Sequence, residues 1–193
     1  MQRRTVRQFA PEPCSLQELS DVLQYCVGVQ HRDAKDWNLS HRVYPSGGAR
    51  FPVEVYLLAV QPGELPVGVY HYHFKTHALE VIKPRLMPAD VARCFGDPWI
   101  HAGPYILILS GVFFRSEVKY KARGMRHVFL EAGHISQNVY LATQMLQLGC
   151  SALGGFVEDQ AHELLELDGE AEGIVHALIF GPPAVLTVGK GRK

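Results

Sequence analysis

The sequence lacks most of the features that announce a function outright. Its 193 residues carry 19 basic and 19 acidic side chains, a formal net charge of +0. That leaves no bulk field to attract nucleic acid or an acidic membrane surface. The four cysteines, Cys14, Cys26, Cys94 and Cys150, are widely spaced with no Cys-x-x-Cys pair, against both a disulfide framework and a zinc site. The start, MQRRTVRQFAPEPC, has no apolar core of a secretory signal. No Gly-x-Gly-x-x-Gly follows a strand-like run, and neither a Walker loop nor His-Glu-x-x-His occurs; a Rossmann or P-loop site is not expected. Gly149-Cys150-Ser151-Ala152-Leu153 ends in Leu where a nucleophile elbow needs Gly. Internal repeats and low-complexity segments are also missing. With 47% hydrophobic and 20% charged residues, the chain reads as a soluble, cytoplasmic protein of one domain, 1–193, without nucleic-acid or membrane partners.

What is present centres on residues 119–149. A basic run, Lys119-Tyr120-Lys121-Ala122-Arg123, leads into a segment whose only formal charge from Val128 to Leu148 is Glu131. Apolar Ile135, Val139, Met145 and Leu146 alternate with small residues, a pattern for a helix packed on several sides. Its length approaches a membrane span, but Glu131, His134, Gln137 and Asn138 would be costly in lipid. Elsewhere, Ser15 and Glu18 form a capping-box signature for a helix ending near Gly28, and 29–42 reads as a polar surface loop. Strands are expected at 53–60, 105–114 and 174–181, a hairpin at 68–74 and 78–82, and short helices at 89–95 and 159–165. His71 and His73 would share a strand face, as a metal pair might, although no third ligand stands at a telling spacing.

The residues left over for chemistry are scattered. Arg3, Arg4 and Arg7 crowd one end and Lys190, Arg192 and Lys193 the other; they are either solvated termini or two halves of one anion grip. Pro45-Ser46-Gly47-Gly48 and Leu153-Gly154-Gly155-Phe156 let backbone approach a ligand closely. Lys119-Tyr120 is either an exposed strand-end pair or a proton-transfer pair. A flavin needs such a set: cations for its phosphate, small residues against its ring, and a donor near N5.

In this order the pieces resemble the nitroreductase superfamily and, within it, the SagB-type dehydrogenases related to thiazole/oxazole-forming oxidases. The resemblance adds Gly68-Val69-Tyr70-His71-Tyr72, Glu131-Ala132-Gly133-His134 and Gly189-Lys190-Gly191-Arg192 to the motifs above. It implies an α+β fold with a mixed central sheet flanked by helices, and a homodimer with FMN at its interface. Arg3, Arg4, Thr5 and Arg7, with Lys190 and Arg192, would hold the phosphate and ribityl side. Pro45, Ser46, Gly47 and Gly48 would face the flavin from the other subunit, and Leu153, Gly154 and Gly155 would lie beside the ring. Lys119 and Tyr120 would be the catalytic pair, with Lys119 as base in oxidising an azoline to an azole. The substrate would be a small heterocycle or a modified peptide, the latter delivered by a partner protein. The competing expectations are an NAD(P)H-dependent nitro or quinone reductase, or a non-catalytic flavin- or metal-binding dimer.

Overall fold

The apolar run after Pro104 forms the middle of the fold. In the computed structural model, which describes residues 4–31, 33 and 40–184, it becomes β6 (Tyr105–Val112), with seven of its eight residues buried. On one side lies β3 (Val53–Ala59), extended by the hairpin β4 (Gly68–His73) and β5 (Ala78–Lys83). On the other lie β8 (Glu172–Gly181) and the edge strand β7 (Gly149–Leu153). The sheet order is β5-β4-β3-β6-β8-β7, and each neighbouring pair runs antiparallel.

Because side chains alternate along a strand, the central strands build two cores. Val55, Leu57, Leu107, Leu109, Leu178 and Phe180 face α1 (Leu16–Val27) and α5 (Gly124–Met145). Tyr56, Leu58, Ile106, Ile108 and Ile179 face α2 (Pro88–Cys94), α3 (Pro98–His101) and α6 (Glu158–Leu165). This is the α+β class, a central sheet flanked by helices, that the resemblance implies. α1 begins as its capping box predicts: Ser15 Oγ accepts from the Glu18 N–H at 3.2 Å, and the Glu18 carboxylate accepts from the Ser15 N–H at 2.8 Å.

Two expectations are corrected. The strand read as 105–114 stops at Val112, and Phe113 opens a further helix, α4 (Phe113–Tyr120). A continuous apolar run carries no period to mark that switch. Lys119 and Tyr120 therefore end a helix rather than a strand. The polar segment after Gly28 is not wholly irregular, because Val29–His31 (β1) pairs with His41–Arg42 (β2). Among the described residues no helix is long and apolar enough to cross a membrane.

The sheet leaves Leu107 no access to solvent, so truncation there creates a cavity between two packed layers. Leu107→Ala should lower the unfolding free energy by about 2–5 kcal/mol, measured by denaturant titration.

Candidate active site

Between Tyr44 and β3 the chain makes a turn that most residues resist. Gly48 (φ +61°), Ala49 (φ +54°) and Phe51 (φ +45°) all occupy left-handed backbone. For the two non-glycine residues that costs on the order of 1–3 kcal/mol each. Bonds from several elements hold it. Ser46 Oγ accepts from the Phe51 N–H at 2.8 Å, and Arg115 Nη1, on α4, donates to the Phe51 carbonyl at 3.1 Å. Arg50 Nε donates to the Arg115 carbonyl at 2.8 Å.

α4 then ends against this turn. At the corner Lys121 takes φ +54°, a three-residue helical turn (Lys121–Arg123) follows, and α5 starts at Gly124. A Cβ on Gly124 would lie 2.8 Å from the Glu117 backbone nitrogen, so only glycine lets α5 start this close to α4. The corner delivers Lys119 and Tyr120 to Gly48. A Cβ there would sit 2.5 Å from Tyr120 Oη and 2.7 Å from Lys119 Nζ. Lys119 Nζ lies 5.5 Å from the Tyr120 ring centroid, within cation–π range. Tyr120 in turn packs on His127, ring centroids 4.3 Å apart, and His127 lies against Gly47. Two motifs 70 residues apart in sequence thus form one cluster. Lys119 is exposed in the single chain, so the burial expected to tune it as a base is not supplied by these residues alone.

Beneath the turn lies Glu131, 1% exposed. Its Oε1 accepts a long 3.4 Å contact from the Val53 N–H, while Oε2 has no partner. Burial pushes its carboxyl up to about 7, although hydrogen bonding from Ser46 and Val53 and the charges of Arg42 and Arg115 pull the other way. Alongside, Glu54 joins His71 Nε2 at 3.1 Å to Arg115. Burial raises the Glu54 carboxyl, but hydrogen bonding from His71 and Arg115 outweighs it and leaves the group below the usual carboxylate range. Arg42 stacks over Phe74 and Phe51, with centroid distances of 3.7 and 4.4 Å. These groups border a cavity of about 280 Å³ beside the turn.

The other expected site residues gather elsewhere. The Val6 N–H donates to the Cys150 carbonyl at 3.0 Å, placing Thr5 and Arg7 beside the start of β7. Head and tail run together as far as they are described: the Ala10 N–H bonds Pro182 O at 2.8 Å and the Ala184 N–H bonds Gln8 O at 3.0 Å. Arg4, Thr5 and Arg7 are exposed; Arg3, Lys190 and Arg192 lie outside the described residues. Leu153 is buried at 3% and packs into the core, which leaves only its backbone for a ligand. Gly154 and Gly155 are exposed, with open space where a Cβ would be. Cys150 shares a row with Phe180, Tyr105 and Ala59, whereas the turn leads into Val53 at the opposite end of β3. Six residues of strand put roughly 20 Å between those rows. One chain therefore assembles two separate groups, the turn with Lys119 and Tyr120, and the head with β7.

Sequence reasoning passed over His127, Arg42, Arg115 and Glu54. Glu131 stood out only as the one charge in an uncharged helix, a signal that could have marked it as buried and employed. His71 is engaged by Glu54 and Glu80, and His73 Nδ1 by Thr76 at 2.7 Å. Among the described residues no three metal-capable side chains converge.

Glu131 has a consequence for stability. Its folded carboxyl holds a proton to about pH 7 while an unfolded one releases it near 4.5. The folded state binds the extra proton between those values, so this stabilisation is complete below 4.5 and lost as pH rises through 7. The full effect is roughly 3 kcal/mol. Glu131→Gln should flatten this part of the pH–stability curve and melt above wild type at pH 8, checked by thermal unfolding at pH 5 and 8.

The nitroreductase family model matches residues 1–182. Protein MJ1384 of Methanocaldococcus jannaschii, classed with the nitroreductases, is 31% identical over 168 residues, 86% of this chain and 82% of its own. The microcin B17-processing protein McbC of Escherichia coli is 26% identical over 151 residues, 72% of this chain. The match spans about half of McbC, 54%. The fold matches the E. coli microcin synthetase McbBCD complex solved with truncated pro-MccB17 bound (TM-score 0.81, 23% identity, 94% of this chain and 69% of that one). It also matches a nitroreductase-like protein of Desulfovibrio desulfuricans solved with FMN (TM-score 0.61, 20% identity, 100% and 88%). The family model covers nearly the whole sheet and both groups of site residues, and the chain belongs to the nitroreductase family.

Proposed function

We propose that this protein is an FMN-dependent oxidoreductase of the SagB type, dehydrogenating a small heterocycle or a modified peptide at a site shared between two copies of the chain. The observation that carries the reading is the meeting of Gly48 with Lys119 and Tyr120. A side chain at position 48 would occupy the space in front of the pair, so glycine keeps a face open there for a flat ligand. The residues fit FMN in two further respects. Gly154 and Gly155 offer uncovered backbone, and Arg4 and Arg7 stand exposed beside them as phosphate partners. Support also comes from likeness to McbC and to a protein solved with FMN.

The two groups of residues lie at opposite ends of the central strands, which favours a homodimer in which one chain's turn faces the other chain's head. An exposed apolar stripe lies beside the pair: Phe114 and Val118 on α4, then Met125, Phe129, Leu141 and Met145 on α5, 37–72% exposed. A second copy would bury it and supply the desolvation Lys119 lacks alone. FMN, when bound, supplies the hydride acceptor. Lys119 takes the proton from the neighbouring carbon, and Tyr120 orients Lys119 and limits where the ammonium can move. A peptide substrate would be presented by a partner protein.

The likeness to MJ1384 favours a second reading, an NAD(P)H-dependent reductase of nitro compounds or quinones on the same scaffold. Anaerobic mixing with NADPH separates the two: rapid bleaching of the flavin supports the reductase, and no bleaching together with azoline oxidation supports the dehydrogenase. Under the first reading Lys119→Ala should keep its flavin and lose about 10²- to 10⁴-fold in dehydrogenation; unchanged turnover removes Lys119 from the mechanism. Phe129→Asp should shift the dimer toward monomer in analytical ultracentrifugation and lower FMN retention in parallel. A monodisperse wild-type monomer that retains FMN would refute the shared site.

A further inference from the structure

A carboxyl is an expensive way to fill a helix–sheet core. A leucine at position 131 would pack there without cost to itself, yet it would leave the Val53 N–H and the Ser46 hydroxyl without the acceptor they now use. Ser46 occupies a central position in the turn. Its Oγ accepts from the Phe51 N–H at 2.8 Å, and its hydroxyl hydrogen-bonds to the Glu131 carboxyl. A continuous polar path therefore runs from α5 through Ser46 to Phe51, across the three left-handed residues. At its near side, Gly48 abuts Lys119 and Tyr120. Glu131 Oε2, buried and without a partner, is a cost that packing does not repay.

We propose that Glu131 is a positioning residue: through Ser46 it holds the Gly47–Phe51 turn in its left-handed form and thereby fixes Gly48 against Lys119 and Tyr120. The inference rests on reading those two as the catalytic pair. The groups that act on Glu131 from its surroundings are Arg42 of β2 and Arg115 of α4, both cationic, and Tyr44, whose phenol burial holds neutral. A carboxylate accepts stronger hydrogen bonds than a carboxylic acid, so the turn tightens as the group ionises. With burial pushing that ionisation to about 7, the tightening falls within the neutral range.

The test measures the turn directly. Amide hydrogen exchange of residues 46–53, corrected for intrinsic pH dependence, and amine labelling of Lys119 are followed from pH 5.5 to 8.5. The full-length proteins compared are wild type, Glu131→Gln, Glu131→Leu and Ser46→Ala, each loaded with FMN. Wild type should gain protection through about pH 7, and Glu131→Gln should lose that inflection while remaining folded. Ser46→Ala and Glu131→Leu should exchange about tenfold faster in 46–53 and change Lys119 labelling several-fold, with α1 unaffected. Should Glu131→Leu fail to fold, the other two variants decide. Wild-type exchange without an inflection, or Ser46→Ala protected like wild type, overturns the proposal even if Lys119→Ala abolishes turnover. Altered exchange with full turnover by Lys119→Ala would instead overturn the assignment of the catalytic pair.

Discussion

A turn with three left-handed residues cannot be stable on its own, and the site of this protein depends on what holds that turn in place. Its own backbone provides one bond, Ala49 N–H to Ser46 O at 3.1 Å. The rest comes from outside: Arg115 on α4 grips the Phe51 carbonyl, and Glu131 on α5 reaches Val53 and Ser46. Both helices meet at the corner where Lys121 is itself left-handed and Gly124 allows close approach. The strain of the turn and the placement of Lys119 and Tyr120 are thus two results of one packing arrangement.

The sheet makes that arrangement rigid. With both faces of the central strands covered, interior packing allows little adjustment, and the register from Val53 through Gly111 to Gly173 is fixed by continuous pairing. The same rigidity keeps the turn away from the head segment beside Cys150. A ligand served by both groups needs two chains, and the apolar stripe on α4 and α5 shows where they could meet.

Electrostatics follows the same division. The chain is neutral as a whole, yet Arg42, Arg50 and Arg115 gather around the turn against the carboxylate of Glu54 and the buried carboxyl of Glu131. Composition alone hides this, because net charge averages over a surface whose local fields decide ligand binding.

Much of this was readable before any coordinates. The capping box at Ser15 and Glu18, the apolar runs of β3, β6 and β8, and the helical pattern after Val128 depend on local periodicity and on side chains that act within a few residues. The motif order carried the family in the same way. The start of α4 was not readable, because Phe113 and Phe114 continue an apolar run whose change of period falls at its end. Nor was the engagement of His71 by Glu54, or the stacking of Tyr120 on His127, since each joins residues brought together only by the sheet and the α4–α5 corner. Sequence by itself determined which segments become strands and helices and which residue types are available for chemistry, for those follow from local sterics and hydrophobic pattern. Only tertiary structure decided that Gly48 faces Lys119 and Tyr120, that Glu131 is buried beneath their turn, and that the head lies at the far end of the strands, because such distances are set by long-range packing.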